Sequence, residues 1–321
     1  MEASVVVHAV VLDGEGGARR LSTEEAWAWQ PGQGLLWLHL DYTHPQAERW
    51  LRHWELSPLV VDALLAQETR PRATPMREGT LVYLRGVNLT PGALPEDMIA
   101  IRMWLSSTAI ISTQRRPMAS VADLLTDLAQ GNGPGTPYGL LVDLADRLTW
   151  YIEDVVDQVE EQVAGYEEAA MQRHSRALRN EIGRVRRRVS VLRRFLSPQR
   201  DALARLLDSS GPLSEPERNR LREVMDRLQR LLEDLDTARE HATIAQEDLG
   251  NLIADELNRR MYVLAIVSAI FLPLSFLTGL LGVNLAGIPG AESGGSFMVF
   301  VGGLVVTGIF ILMLLRRNRW L

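Results

Sequence analysis

The first 135 residues combine two hydrophobic patterns, one typical of strands and one typical of short helices. Amphipathic runs, several preceded by Ser, Thr or Asp, predict short helices at 21–29, 44–54, 57–68 and 120–130. Short apolar or alternating runs predict strands at 4–13, 34–41, 79–89, 97–107 and 109–114. We therefore predict a cytosolic α/β or α+β domain over residues 1–135, which closes with the Gly/Pro-rich segment 131–137.

The pattern becomes almost wholly helical over residues 136–260. An acidic helix is predicted from Pro137 to about Ala170, and an arginine-rich helix over 171–196. The arginines could form a nucleic-acid or lipid surface. The simpler interpretation is an antiparallel hairpin whose acidic and basic arms face one another, because the complementary acids directly precede the arginines.

A very long helix follows the turn at 211–218. Pro216 suits its first turn, and no further proline occurs before Pro273. Apolar residues recur near every 3.5 positions, which predicts one buried face, at Leu221, Met225, Leu228, Leu232, Leu235, Ala242, Leu249 and Ile253. The simplest prediction is a single stalk helix from Pro216 to Leu281, roughly 100 Å long.

Two uncharged apolar runs lie near the C-terminus, Met261–Leu281 with 21 residues and Phe297–Leu315 with 19. A helix of about 20 residues spans the hydrocarbon layer, so both are predicted to be transmembrane. The alternative is a pair of buried core helices, but a soluble core rarely supplies two uncharged runs of this length. The two C-terminal transmembrane helices are therefore expected to carry the function of the protein.

The flanking charges predict the orientation of the two spans. Arg259 and Arg260 precede the first, and the tail 316–321 that follows the second contains Arg316, Arg317 and Arg319. The loop 282–296 has no Lys or Arg and one acid, Glu292. By the positive-inside rule both termini are cytoplasmic and the loop faces the periplasm. Since two helices cannot enclose a water-filled path, any pore must be shared by several subunits.

A second stripe on the stalk helix is polar or small over most of its length. Steps of three and four residues connect its members, which are Glu247, Asn251, Ala254, Asn258, Met261, Ala265, Ser268, Leu272, Ser275, Gly279 and Gly282. Such a stripe could be a small-residue face that only packs helices. It could also be a pore wall. The polar residues continue towards Glu247, below the predicted membrane segment, which favours the pore wall.

The composition excludes further classes of function and of metal site. Hydrophobic residues make up 46% of the chain and charged residues 23%, and the net charge of −6 argues against general nucleic-acid binding. The chain has no cysteine, so any metal ligands must be oxygen or imidazole groups. The N-terminus lacks the basic region of a secretory signal, so the N-terminal domain is expected in the cytosol.

The chemistry-bearing residues do not form a recognisable enzyme motif. The six histidines are not spaced as HxxxH or HxH, and ordinary surface or core roles are expected for His8, His39, His44, His53, His174 and His241. No nucleophile–base pair or phosphate loop is evident either. An enzyme is therefore the weakest interpretation, and no cofactor is expected.

The first span ends with Gly282-Val283-Asn284, which precedes a short outer loop, a second span and a basic tail. This arrangement resembles the CorA superfamily of divalent cation transporters. Magnesium channels of that superfamily typically carry Tyr-Gly-Met-Asn-Phe, whereas this chain has Leu-Gly-Val-Asn-Leu over 281–285. The sequence is more similar to the ZntB zinc-transporting branch, as are ETRPR at 68–72, RGVN at 85–88, PEDMIAIRMW at 95–104 and ISTQRR at 111–116.

This resemblance implies a homopentamer with a funnel-shaped cytosolic domain and a pore lined by the first span. Asn284 matches the family asparagine that, with the Gly282 carbonyl, contacts a hydrated cation at the outer mouth, and Glu292 matches the outer-loop acid. Family pore-facing positions correspond to Asn258, Met261, Leu264, Ser268, Leu272 and Ser275; the stripe contains all of these but Leu264 and adds Gly279. Zinc transport across the bacterial inner membrane, with proton coupling, is the implied activity.

Two other functions stay open from the sequence. The chain could be a magnesium or cobalt channel of the same superfamily, or a membrane-anchored scaffold that conducts nothing. For a conducting pore we expect a partly hydrated ion, because neither span contains an acid or a histidine that could replace its water. Met261, Leu264 and Leu272 are then expected to form a hydrophobic gate.

Overall fold

The structure is a computed structural model that describes residues 4–172, 176–208, 213–282 and 294–317. By its internal contacts the chain divides into two units, Met1–Gln246 and Glu247–Leu321. The domain boundaries inferred from sequence character alone stay a prediction.

A seven-stranded sheet forms the centre of the first unit, with the strand order β2-β1-β3-β7-β6-β5-β4. Its strands are β1 Val6–Leu12, β2 Ala18–Arg20, β3 Leu35–Asp41, β4 Arg72–Met76, β5 Gly79–Gly86, β6 Ile99–Leu105 and β7 Ala109–Gln114. β3 and β7 are parallel and pair Leu38 with Ile111, while the other neighbours are antiparallel. The five predicted strands are confirmed. The prediction missed β2 and β4, which form the two edges.

Helices cover both faces of the sheet, as expected for strands that are apolar on both sides. The short helices are α1 Thr23–Ala28, α2 Ala47–His53, α3 Pro58–Leu65 and α4 Ala119–Ala129. Leu36, Leu38 and Leu40 of β3 are fully buried in one cluster with side chains of α1, α2 and α3. On the opposite face, Tyr138 and Thr80 share a hydrogen bond of 2.7 Å between their hydroxyls.

Long helices make up the rest of the chain: α5 Pro137–Gln172, α6 Arg176–Asp208, α7 Glu215–Leu281 and α8 Ser296–Arg317. α6 extends well beyond the predicted end at residue 196 and passes through Pro198. Proline removes one backbone donor from a helix interior, so tertiary contacts must support that turn. The neighbouring Gln199 is buried, and its side-chain oxygen accepts a 2.7 Å hydrogen bond from the Arg85 amide of β5.

The cytosolic part of α7 buries the face that its apolar period predicts. Leu221, Leu228 and Leu235 are fully buried, and Leu232 is nearly so. The prediction of one unbroken helix is also confirmed, since α7 begins at Glu215 and ends at Leu281.

The ion pairs correct the expected contact between the acidic and basic arms. Within the described residues, acids of α5 pair mainly with α7: Asp146 contacts Arg220 at 3.1 Å and Arg227 at 3.0 Å. The buried Asp143 contacts Arg147 at 2.9 Å and also pairs with Arg220. Arginines of α6 reach elsewhere, Arg193 to Asp236 on α7 and Arg188 to Glu96 at 3.3 Å. Arginines of α7 therefore pair with acids of α5, while an acid of α7 pairs with an arginine of α6.

Candidate functional site

The C-terminal part of α7 and the whole of α8 are long and apolar enough to cross a membrane. Their large side chains are mostly uncovered within the chain: Leu272 is 74% exposed and Met298 75%. A soluble core helix would bury such a surface. A helix pairs most of its backbone groups internally, which suits a lipid environment.

One side of each membrane helix is less exposed than the rest. On α7 these half-buried positions are Ile266, Ala269, Ile270, Pro273, Leu274 and Leu277. On α8 they are Phe300, Leu304, Thr307, Gly308, Ile311 and Leu315. Each set repeats every three or four residues and so forms a single stripe. We infer that the two stripes shield one another.

The predicted pore-lining residues lie away from this half-buried stripe. All seven are exposed in the chain: Asn258, Met261, Leu264, Ser268, Leu272, Ser275 and Gly279. With 3.6 residues per turn, they cluster on the side of α7 that is roughly 180° from the half-buried stripe. We call this side the exposed stripe. It combines hydroxyl, amide and glycine positions with Met261, Leu264 and Leu272, so it offers both polar contacts and apolar constrictions.

The end of α7 leads into the predicted outer mouth. The Gly282 amide donates to the Thr278 carbonyl at 2.9 Å, which completes the last helical turn. A Cβ at position 282 would lie 2.7 Å from that carbonyl oxygen, so a glycine suits this close approach. Val283, Asn284 and Glu292 lie outside the described residues, and their roles stay predictions.

Pro273 is the one proline within α7's membrane part. Its missing N–H leaves the Ala269 carbonyl without its usual helical donor. Both residues belong to the half-buried stripe rather than the exposed one. The helix irregularity that Pro273 introduces is therefore on the side we assign to helix packing.

The histidines serve local structure. His39 is buried, and its Nδ1 lies 2.6 Å from the Ser112 hydroxyl. His53 stacks on Trp27, and His241 lies 2.7 Å from a Glu167 carboxylate oxygen. His174 lies outside the described residues. Among the residues that are described, no group of three or more His, Asp or Glu side chains could hold a metal ion.

A line of acidic residues on the exposed side of the cytosolic part of α7 was not predicted from the sequence. Asp226, Glu233 and Glu240 recur every seven residues and are all exposed. In the sequence, the same spacing continues to Glu247. Their seven-residue period is visible in the sequence, whereas the apolar period predicts only the buried face.

Comparisons with known proteins place this geometry in context. A family model described as CorA-like Mg²⁺ transporter protein matches residues 32–317. The zinc transport protein ZntB of Yersinia pseudotuberculosis is 36% identical over 324 residues, which cover 100% of this chain and 98% of the relative. The divalent cation transporter CmaX of Pseudomonas aeruginosa is 40% identical over 98% of this chain and 97% of its own. A solved structure of full-length CmaX superimposes with a TM-score of 0.85 at 37% identity, and the match covers 100% of both chains.

Proposed function

Because the chain belongs to the family of CorA-like Mg²⁺ transporter proteins, we propose that it conducts divalent cations, with zinc as its substrate. It is a two-pass protein of the inner membrane, with a cytoplasmic N-terminal domain and the spans supplied by α7 and α8. The family is one of ion transporters and not of enzymes.

The exposed stripe of α7 is the observation that carries this proposal. Its polar members, Asn258, Ser268 and Ser275, are uncovered in the chain and face away from the half-buried stripe. Ser268 and Ser275 lie within the span, where polar groups are costly unless they meet protein or water. Packing of several copies around a central axis, with α7 inside and α8 outside, would give these groups a water-filled path. We infer that the chain forms a homopentamer, as its family resemblance implies.

The ion is expected to stay partly hydrated along this path. Neither span contains an acid or a histidine, so the pore offers hydroxyls, amides and backbone carbonyls as its polar groups. These neutral groups can bind the water shell of a divalent cation but cannot replace it. We assign the outer hydrated-ion contact to Gly282, Val283 and Asn284, with Glu292 attracting cations to the mouth.

We assign the hydrophobic gate to three apolar residues of the exposed stripe. Met261, Leu264 and Leu272 are each at least 67% exposed in one chain, so their side chains are free to project towards an axis. A ring of five such side chains can exclude water when narrow and admit a hydrated ion when wide. Because the gate carries no charge, opening it needs no change of protonation in the spans.

Zinc is the first candidate substrate because a relative named a zinc transport protein matches the whole chain. Magnesium or cobalt is the second, since the family description names Mg²⁺ and the 40% identical relative is named only for divalent cations. Purified protein in liposomes separates them. Zinc uptake is expected, it should rise when a pH gradient is applied, and a large excess of magnesium should inhibit it weakly.

Single-residue variants test whether zinc passes through the proposed pore. Asn284→Ala should reduce zinc uptake, whereas Thr307→Ala should not. Thr307 is a matched control because its hydroxyl donates to the Gly303 carbonyl at 2.8 Å within α8, away from the exposed stripe. Unchanged uptake in Asn284→Ala would refute the outer-site assignment. Absence of flux in every cation and pH gradient would instead favour a scaffold that conducts nothing.

A further inference from the structure

A small cavity lies at one end of the sheet, where the parallel strands β3 and β7 both finish. Tyr42 directly follows β3 and Arg115 directly follows β7, and the Tyr42 amide donates to the Gln114 carbonyl at 3.1 Å. Residues of β5 and β6 complete the lining. In open α/β sheets, ligands commonly bind at the carboxyl ends of parallel strands. We call this space the β3/β7 cavity.

The lining of the β3/β7 cavity is strongly basic. It contains four guanidinium groups, those of Arg85, Arg102, Arg115 and Arg116, and a single carboxylate, that of Asp97. Among the described residues, none of these four arginines pairs with a carboxylate within 4.0 Å. By contrast, Arg147, Arg188 and Arg220 each pair with a carboxylate. The cavity therefore concentrates positive charge, four guanidiniums against one carboxylate in its lining.

Arg102 is the most informative of the four because it is only 1% exposed. Its Nη2 donates to the Gln67 carbonyl at 3.1 Å, and its guanidinium lies 4.3 Å from the centre of the Tyr42 ring. Its Nε is buried and has no hydrogen-bond partner. Burial lowers the pKa of Arg102, which expresses the cost of this charge inside the protein. A buried cation without a counter-charge is strongly destabilising unless something neutralises it.

Arg85 is held in position by backbone carbonyls. Its Nη2 donates to the Thr69 carbonyl and its Nη1 to the Met98 carbonyl, each at 2.8 Å. Its guanidinium also lies 4.1 Å from the centre of the Phe195 ring. Burial, and then the charge of Arg102, lowers the pKa of Arg85. The carbonyls orient this guanidinium but leave its full charge in place.

We propose that the β3/β7 cavity binds a small oxyanion of the phosphate or sulfate type. Guanidinium groups match the geometry of such oxyanions and form short charge-assisted hydrogen bonds with them. The buried Arg102 and the half-buried Arg85 supply a fixed floor, and the exposed Arg115 and Arg116 supply the mouth. The cavity volume of about 150 Å³ fits a small ion and lies below the roughly 300 Å³ at which drug-sized ligand pockets begin. None of its lining residues belongs to α7 or α8, so the site does not depend on the transport proposal.

Binding of radiolabelled sulfate to the purified full-length protein, measured by equilibrium dialysis at low chloride, tests the proposal. We expect saturable binding of one sulfate per chain with a dissociation constant of about 1 mM or lower. The double variant Arg115→Gln/Arg116→Gln should weaken binding about tenfold or more. Both positions are exposed, so the variant should fold. Sulfate should also raise the unfolding temperature of the wild type more than that of the variant.

The matched control is Arg77→Gln/Arg205→Gln, which also removes two exposed guanidiniums but none from the cavity. It should bind sulfate as the wild type does. Equal weakening in both double variants would show general surface attraction and would overturn the site. Lack of saturation in the wild type would also overturn it and would leave the arginines a purely structural role.

A competition arm distinguishes a free ion from the phosphate group of a larger ligand. Inorganic phosphate should displace sulfate at similar concentrations, and adenosine monophosphate should compete no better than inorganic phosphate. Displacement by the nucleotide at a far lower concentration would overturn the assignment to a free ion. None of these measurements involves zinc or a membrane gradient, so their outcome is independent of ion flux.

Discussion

His39 gives the N-terminal unit a specific sensitivity to acid. The side chain is fully buried on β3, and its Nδ1 lies 2.6 Å from the Ser112 hydroxyl. That hydroxyl also accepts a 2.9 Å hydrogen bond from Trp37 Nε1. Burial is the main cause that lowers the pKa of His39 from 6.5 to about 4. The ring is therefore neutral in the folded protein at neutral pH.

The size of the effect follows from this shift. Above pH 6.5 the ring is neutral in both the folded and the unfolded chain, so His39 adds no pH dependence. Between pH 6.5 and about 4 the unfolded chain binds a proton that the folded chain does not, so stability falls as the pH falls. At about 1.4 kcal/mol per pKa unit, the full loss is roughly 3 kcal/mol, and about 2 kcal/mol of it is already lost at pH 5.

His39→Gln removes this titration and keeps a polar group beside Ser112. The unfolding temperature of the full-length protein in detergent, followed by tryptophan fluorescence, should be measured at pH 7.5 and pH 5. The variant is expected to be less stable at pH 7.5, because the new side chain fits the site less well. However, its further decrease on acidification should be about 4–8 °C smaller than that of the wild type.

His44→Gln is the control for replacing a histidine, since His44 is only partly buried on the loop after β3. It should leave the acid-induced decrease unchanged. If His39→Gln and the wild type lose the same stability between pH 7.5 and pH 5, then His39 is not neutral because of burial, and the reasoning is wrong.

Three further changes test other parts of the structure. Asp143→Ala should lower the free energy of unfolding by about 2 kcal/mol, measured by chemical denaturation, because it leaves two arginines without this buried partner. Gly79→Ala should cost about 2 kcal/mol in the same assay, since its Cβ would lie 2.3 Å from the Leu105 carbonyl oxygen; unchanged stability would contradict this contact. Ser268→Leu should reduce zinc flux in liposomes about tenfold, whereas Val306→Leu, at an exposed position of α8, should not. Equal flux in the two variants would count against α7 as the pore wall.

Much of the fold could be predicted because its strands are buried and therefore almost continuously apolar. β3 and β7 are examples, and their bounds match the predicted runs closely. β2 has only three residues and β4 contains Pro75, so neither has a pattern that differs from a loop. The continuation of α6 through Pro198 depends on the tertiary contact of Gln199, which no local pattern reveals.

The two candidate sites differ in how far the sequence predicts them. The exposed stripe of α7 lies on one helix, so a period of 3.6 residues places Asn258 and Ser275 on the same side. The arginines of the β3/β7 cavity come from two strands, β5 and β6, and from the loop after β7. Only the sheet order brings Arg85, Arg102 and Arg115 together. Their sequence spacing therefore gave no signal of a shared site.

The two outer strands of the sheet limit how several copies can associate. β2 offers only three residues to a neighbour, and β4 carries Pro75, which has no N–H to donate. α6 also lies alongside β4. Continuation of the sheet from one subunit into the next is therefore disfavoured at both ends, which also limits aggregation through unpaired strands. Contacts between cytosolic domains are left to helix surfaces and side chains, which can slide and tilt without breaking a backbone ladder. An oligomer built in this way can change the spacing of its subunits while each sheet stays intact.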